Sequence, residues 1–440
     1  MARYTVGADF TSAHIGKNYY YLPMSMLIKN IKSLVQVEDS PREKICGPDM
    51  SLLHTLDNAW LLIKDGLISD FGPMESIPQG HYEQELDATG RFLLPSFCDC
   101  HTHLVYAGSR ELEFIDKVNG LSYIEIAQRG GGILNSMDLL SKTSEEDLFD
   151  QSIPRAHEII SKGTGAVEIK SGYGPDLESE LKMLRVAKRI AKETPLTVVS
   201  TFLGAHAVPK SYAGNKEEYV NDLITTYIPV IATEELADYI DVFCEEGFFS
   251  VEDTDRILNV GMKYGLRAKV HANQLSFSGG VQVGVKYNAI SVDHLESTDV
   301  KEFALLKNTE TMPVVLPGAS FFLQMHYAPA KKMIDYGLPV AIASNYNPGS
   351  CPSGDMKFMM SLASICMKLN TQQVINAATL NGAYAMGLSH SHGSFAKGKV
   401  ANLFITKPIP SLDFIPYAFN SQIIDTIILK GKILHESQDY

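Results

Sequence analysis

The 440-residue sequence lacks any uncharged apolar run of eighteen residues and has only six cysteines. The missing run argues against a transmembrane helix, and the first twenty residues lack the continuous apolar core of a signal peptide. Six cysteines without a dense framework indicate free thiols in a reducing compartment rather than disulfides. We therefore predict a cytoplasmic protein.

Positive charge is also in short supply. Lysine and arginine number 38 against 51 acidic residues, so the formal net charge is −13. This charge opposes binding to nucleic acid or to anionic membranes, and we predict neither as a partner. An anionic small-molecule substrate would need a local cationic pocket.

The patterning divides the chain into two kinds of segment. Short β-type runs with turns fill residues 24–94 and recur in 395–440, which is typical of a small β-sandwich. Residues 95–394 alternate β-type runs with helical stretches, as in βα units around a parallel sheet. We predict a (β/α)8 barrel inserted into a β-sandwich built from both termini, with residues 1–23 as an extension outside the fold. The eight predicted barrel strands are Leu93–Asp99, Gly165–Lys170, Thr197–Leu203, Ile240–Cys244, Arg267–Val270, Ala289–Asp293, Met312–Leu316 and Pro339–Ser344.

One helix of the barrel is clear from its spacing. Leu177, Leu181, Leu184 and Ile190 recur at near-helical intervals through Glu193, and Asp176 can cap the helix.

Polar side chains follow the predicted strands and should converge at the C-terminal mouth of the barrel. The spacing of His101-Thr-His103 directs both imidazoles to one side of an extended strand, where they can grip one ion. With His271 after strand five and His294 after strand six, they predict a metal site suited to zinc or iron. The similar pair His390-Ser-His392 falls in a predicted loop, and we expect it to have no function. The other predicted strand-end residues are Tyr173, His206, Gln274, Asn345 and Asn347.

Several motifs resemble those of a known family. Residues 95–103 (Pro-Ser-Phe-Cys-Asp-Cys-His-Thr-His) resemble the entry motif of the amidohydrolase superfamily. The resemblance to imidazolonepropionases is closer and spans both termini and the barrel, through His101–Glu111, Glu168–Gly174, Phe202–His206, Val292–Glu296 and Asn347–Ser350. It implies hydrolysis of 4-imidazolone-5-propanoate to N-formimidoyl-L-glutamate, a step of histidine degradation. A homodimer is also implied by the resemblance alone.

The resemblance assigns roles to individual residues. It implies one zinc or iron ion (Zn²⁺, or Fe²⁺/Fe³⁺) per chain on His101, His103, His271 and position 345, while His294 would stabilise the oxyanion or exchange a proton. Arg110 would hold the propionate with its guanidinium fork. The remaining implied substrate contacts are Tyr173, His206 and Gln274 to the ring, and Asn347, Gly349 and Ser350 to the opened product.

Four alternatives concern single groups. Arg110 can instead form a surface ion pair with Glu111 or Glu113. Lys170 resembles the carboxylated lysine of two-metal relatives, but that lysine belongs on strand four and Lys170 ends strand two, which favours a single metal. Glu245 and Glu246 either orient ligands or lie solvated at the mouth. Cys98 and Cys100 precede the mouth and fit packed thiols better than metal ligands.

Position 345 departs from the family pattern. The family resembled here carries an aspartate after strand eight, within Ser/Thr-Asp-x-Asn-Pro-Gly, whereas this sequence reads Ser344-Asn-Tyr-Asn-Pro-Gly349. An amide oxygen can coordinate weakly but cannot accept a proton near neutral pH. Position 345 therefore leaves open a catalytically impaired homologue that serves as a binding protein. A second alternative is another cyclic-amidine or nucleobase amidohydrolase or deaminase of the same superfamily, such as a guanine or cytosine deaminase, against which the Arg110 and Tyr173 motifs argue.

Overall fold

The computed structural model describes residues 25–121 and 131–436, in which two eight-stranded sheets form. One sheet takes strands from both ends of the chain, and the other is parallel, so the predicted fold class is confirmed. The strands are β1 Ser25–Val35, β2 Thr55–Lys64, β3 Leu67–Pro73, β4 Gln84–Asp87, β5 Phe92–Pro95, β6 Phe97–Thr102, β7 Thr164–Lys170, β8 Thr197–Ala205, β9 Tyr239–Cys244, β10 Arg267–Ala272, β11 Ser291–His294, β12 Met312–Val315, β13 Ala341–Ile342, β14 Leu403–Thr406, β15 Ile424–Leu429 and β16 Lys432–Glu436.

The terminal sheet has the order β16-β15-β14-β5-β1-β2-β3, with β4 added to β1. Its two halves join where β5 and β14 run antiparallel, with Leu94 opposite Phe404. Apolar side chains such as Ile28, Leu61 and Leu403 pack into a core of their own. The predicted extension, residues 1–23, lies outside the described residues, and the domain boundaries stay predictions.

The parallel sheet runs in chain order from β6 to β13. Backbone bonds close the seam between its first and last strands: Asn345 N–H donates to His101 O at 3.0 Å, and His103 N–H donates to Tyr346 O at 2.9 Å. Ser344 also donates through both its N–H and its hydroxyl to Asp99. The loops after β6 and β13 are thereby held against each other.

The first predicted barrel strand was placed wrongly at its start, and the last, Pro339–Ser344, is longer than the observed Ala341–Ile342 at both ends. Leu93 and Leu94 belong to β5 of the terminal sheet, and the first barrel strand begins at Phe97. The apolar run hides this change because both strands are buried and only Ser96 lies between them. The first barrel strand extends to Thr102, so His101 lies inside it rather than after it, as His271 does in β10.

Helices connect the barrel strands, and polar side chains cap the first turns of several of them. The predicted helix from Leu177 to Glu193 is confirmed, with the Asp176 carboxylate accepting a hydrogen bond from Ser179 N–H. No helix in the described part of the chain is long and apolar enough to cross a membrane. The helices are α1 Glu111–Val118, α2 Ile133–Lys142, α3 Glu145–Ser161, α4 Leu177–Glu193, α5 Lys216–Asp222, α6 Ile228–Thr233, α7 Val251–Lys263, α8 Gly280–Lys286, α9 Val300–Leu306, α10 Pro317–Leu323, α11 Ala330–Tyr336, α12 Met356–Met367, α13 Thr371–Ala378, α14 Leu380–Ala385 and α15 Phe414–Tyr417.

Candidate active site

Five imidazoles meet at the mouth of the barrel. Ring nitrogens of His101, His271 and His294 lie within 4.8 Å of one another, and so do those of His103, His206 and His271. Neither triad contains both His101 and His103, whose ring centroids are 5.4 Å apart. His271 belongs to both triads and is therefore the centre of the cluster.

Two of these imidazoles are fixed by carboxylates beneath them. His101 Nδ1 lies 2.7 Å from Asp293 Oδ2, and His271 Nδ1 lies 2.9 Å from Asp241 Oδ2. Such contacts fix the tautomer and turn the Nε2 lone pair outward. The Nε2 atoms of His101 and His271 are buried and have no hydrogen-bond partner among residues 25–121 and 131–436. The same holds for His103 Nδ1 and Asn345 Oδ1.

These unpartnered atoms fit a bound metal ion. Buried polar atoms without a partner are costly unless a ligand satisfies them. Burial, reinforced by neighbouring positive groups, lowers the pKa of His101 and of His103 well below the ordinary histidine value. The rings are therefore neutral, which is the form that binds a metal. The set of ligands that holds the ion stays a prediction.

An ionic network supports the carboxylates under the histidines. Lys170 Nζ lies 2.7 Å from both Glu168 Oε1 and Asp241 Oδ2, and Lys269 Nζ lies 2.6 Å from Glu168 Oε2, all fully buried. Burial alone would lower the pKa of Lys170, but the carboxylates raise it above the ordinary value. Lys170 ends the second barrel strand, as predicted. As an ammonium it lacks the neutral nitrogen that carboxylation requires.

His294 occupies a strained position at the end of β11. Its φ of 86° and the φ of 68° at Leu295 are left-handed values that residues with a Cβ rarely adopt. His294 Nδ1 lies 3.5 Å from Glu296 Oε2, and both atoms are buried. Glu296 closes the Val292–Glu296 motif, but no role was predicted for its side chain.

Asn345 lies in the loop after the last barrel strand and has a φ of 56°. Its Nδ2 donates to Ser350 Oγ at 3.3 Å. Asn347 organises the rest of the loop, because its Oδ1 accepts the N–H groups of Gly349 and Ser350 at 2.8 Å each. Asn347 Nδ2 also donates to Asn345 O at 2.7 Å. The loop is thus a rigid platform beside the imidazoles.

A cavity of about 550 Å³ opens above this cluster. Every predicted site residue except the fully buried His101 lies on its wall. Apolar side chains, including Phe243, Phe248 and Phe322, complete the wall. The predicted residues brought together there are His103, Arg110, Tyr173, His206, His271, Gln274, His294, Asn345, Asn347, Gly349 and Ser350.

Arg110 lies on the cavity wall and also forms an ion pair. Its Nε donates to Glu113 Oε2 at 2.9 Å, and only 11% of each side chain is exposed. The alternative of a surface ion pair is therefore half right, because Glu113 is the partner but the pair is largely buried. A Cβ on Gly349 would lie 1.9 Å from Arg110 Nη1, so glycine is needed for this close approach.

A buried glutamate holds the segment that carries Tyr173, one of the residues predicted to contact the ring. Glu180 Oε1 accepts the N–H groups of Gly172 and Gly174 at 3.0 and 2.6 Å, which fixes Tyr173 between them. His206 stacks on His103 with centroids 5.0 Å apart. Burial lowers the pKa of His206 to about 3, so this ring is neutral.

Glu245 and Glu246 have different environments. Glu245 is buried and accepts hydrogen bonds from Leu275 N–H, at 2.9 Å, and from the Ser276 hydroxyl. It therefore fixes the loop that carries Gln274, whereas Glu246 is exposed.

The remaining candidates lie outside the cavity wall. His390 is exposed, and His392 Nε2 contacts Thr197 Oγ1 at 3.0 Å. Cys98 and Cys100 are fully buried among apolar side chains. Neither the histidine pair nor the cysteine pair therefore contributes a side chain to the cavity wall.

Known proteins resemble this chain over nearly its whole length. The amidohydrolase family profile matches residues 92–434. An imidazolonepropionase from Flavobacterium johnsoniae is 54% identical over 411 residues, covering 93% of this chain and 100% of that relative. The structure of E. coli guanine deaminase superposes with a TM-score of 0.72 at 15% identity, covering 94% and 100% of the two chains. A zinc complex of atrazine chlorohydrolase from Arthrobacter aurescens gives 0.70 at 13% identity, covering 93% and 95%. At these low identities, the two structures support the fold alone.

Proposed function

The chain belongs to the amidohydrolase family and within it to the imidazolonepropionases, and on this premise we propose that it hydrolyses 4-imidazolone-5-propanoate to N-formimidoyl-L-glutamate in histidine degradation. The observation that carries the proposal is one cavity whose wall holds both the imidazole cluster and the Arg110 guanidinium. The imidazole cluster suits metal-dependent hydrolysis of a cyclic amide-like bond, and the guanidinium suits binding of the substrate carboxylate.

The ion that we propose is one zinc or iron held by His101, His103 and His271, with Asn345 as a weak oxygen ligand. Neutral imidazoles with outward lone pairs support this choice, and the zinc-bound atrazine chlorohydrolase has the same fold. When bound, the ion would polarise the ring carbonyl and make water a better nucleophile at neutral pH.

His294 is the proposed proton carrier. Water attack forms a C–O bond at the ring carbonyl and releases a proton, and cleavage of the C–N bond delivers a proton to the departing nitrogen. Asn345 cannot take up the first proton. His294 is on the cavity wall, with its Nδ1 3.5 Å from Glu296 Oε2, and its ring is proposed to exchange protons with the reacting groups.

Substrate recognition follows from the rest of the wall. Arg110 is proposed to bind the propionate, while Tyr173, His206 and Gln274 contact the ring. Asn347, Gly349 and Ser350 are proposed to contact the opened product. The guanine deaminase likeness does not favour the nucleobase alternative, because it extends only to the fold.

We also propose that the protein is cytoplasmic and forms a homodimer that binds neither nucleic acid nor membranes. The formal charge of −13 supports the last two points. Gel filtration with light scattering would test the dimer, and a monomer at micromolar concentration would contradict it.

The experiment that tests the activity is incubation of the metal-loaded protein with freshly generated imidazolone propanoate. N-formimidoyl-L-glutamate should accumulate faster than in a control with His271→Ala. Guanine and cytosine, offered separately, should remain unchanged. Deamination of either base would favour the alternative enzyme, and binding of substrate without product would favour the impaired homologue.

A further inference from the structure

We propose that Lys117 supplies the net positive charge that attracts the carboxylate of the substrate, an inference that rests on the proposed function of the same cavity. Lys117 lies in the last turn of α1, and its side chain is on the cavity wall together with Arg110. Lys117 Nζ donates to Gly349 O at 3.2 Å, so both cations approach the same glycine.

Arg110 by itself brings no net charge to this end of the cavity. Glu113 Oε2 lies within hydrogen-bond distance of both Arg110 Nε and Nη2. The other oxygen of Glu113 accepts Gly132 N–H at 2.9 Å, which holds the carboxylate in place. The pair is neutral as a unit, so Arg110 offers directed hydrogen bonds while its charge is already balanced.

The charge of Lys117, unlike that of Arg110, is not balanced by an ion pair within residues 25–121 and 131–436. Lys117 Nζ contacts the Gly349 carbonyl oxygen and lies 4.9 Å from the ring centroid of Phe322. Burial and the charge of Arg110 lower the pKa of Lys117, and the nearby Glu113 carboxylate partly opposes them. An anion bound beside Lys117 would stabilise its charged form. In a protein with a formal charge of −13, such an uncompensated ammonium is a specific attraction for an acidic ligand.

The test compares two ligands on the metal-loaded protein by calorimetry. Imidazole-4-propanoate carries the carboxylate on a ring that cannot be hydrolysed, and imidazole-4-propanamide replaces the charge with a neutral group of similar shape. The wild type should prefer the acid. Lys117→Met should lower affinity for the acid by about 10- to 100-fold, the range for a hydrogen bond to a charged group, and leave the amide unchanged.

Two further variants serve as controls. Lys117→Arg keeps the charge and should retain most of the preference, while Lys142→Met removes the same charge from an exposed site and should bind both ligands like the wild type. An equal loss of both affinities in Lys117→Met would indicate a packing role and overturn the inference, as would an unchanged preference for the acid. If the wild type itself does not prefer the acid, the proposed function fails together with the inference.

Discussion

Replacing Asn345 by aspartate should restore a proton acceptor at the site. Both residues tolerate the left-handed φ of 56°, and the seam bond to His101 O involves the backbone, so the loop should not move. The Asn345 Nδ2 bond to Ser350 Oγ is long, at 3.3 Å, and the serine hydroxyl can turn to donate to a carboxylate. Asn345 Oδ1, which has no hydrogen-bond partner within the described residues, would be replaced in the same position by a carboxylate oxygen that can accept a proton.

A positioned general base contributes about 10²–10⁴-fold to rate, and Asn345→Asp should raise kcat by that factor. KM should change little, because the loop contacts are kept. Bound metal should be released more slowly to a chelator, since a carboxylate is a stronger ligand than an amide.

The assay is steady-state formation of N-formimidoyl-L-glutamate by the two metal-loaded proteins. Asn221→Asp is the control, because it adds the same charge at an exposed side chain outside the cavity wall, and it should not raise kcat. If the wild type already turns over at tens per second and Asn345→Asp adds nothing, the reasoning is wrong and His294 is the base.

Three further outcomes are expected. His271→Ala should empty the metal site in elemental analysis, because His271 belongs to both imidazole triads, while the exposed His390→Ala should keep its metal. Arg110→Met should weaken substrate binding by about 2–5 kcal/mol in calorimetry with unchanged metal content, and normal binding would place the propionate elsewhere. Burial raises the pKa of Glu180 to about 7 from an ordinary 4.5, so its contribution to stability is present below pH 4.5 and is lost as pH rises through 7. Glu180→Gln should therefore gain unfolding free energy relative to the wild type between pH 5 and pH 8 in urea titrations, and parallel pH profiles would refute this.

The barrel could be predicted because its signals are local. Each strand is a short apolar run, and active-site side chains follow such runs at one end of a parallel barrel. The eight runs and the helix from Leu177 to Glu193 needed no knowledge of distant contacts. The exception was the boundary near Ser96, where two buried strands of different sheets follow each other without a change in composition.

The supporting groups could not be predicted, because they are set by contacts across the fold. Asp241 and Asp293 look like ordinary strand residues, and only the packed barrel brings them against His271 and His101. Lys117 likewise reads as the polar end of a helix, and its place on the cavity wall depends on α1 lying beside the loop of Gly349. Sequence spacing carries no information on such juxtapositions.

The central claim is that a single-metal imidazole site in this cavity opens the imidazolone ring. The most direct measurement is metal content and turnover on one preparation, before and after removal of the metal with a chelator. We expect one equivalent of zinc or iron per chain, formation of N-formimidoyl-L-glutamate, and loss of that activity with the metal. Two equivalents of metal, or product formation that survives complete metal removal, would contradict it.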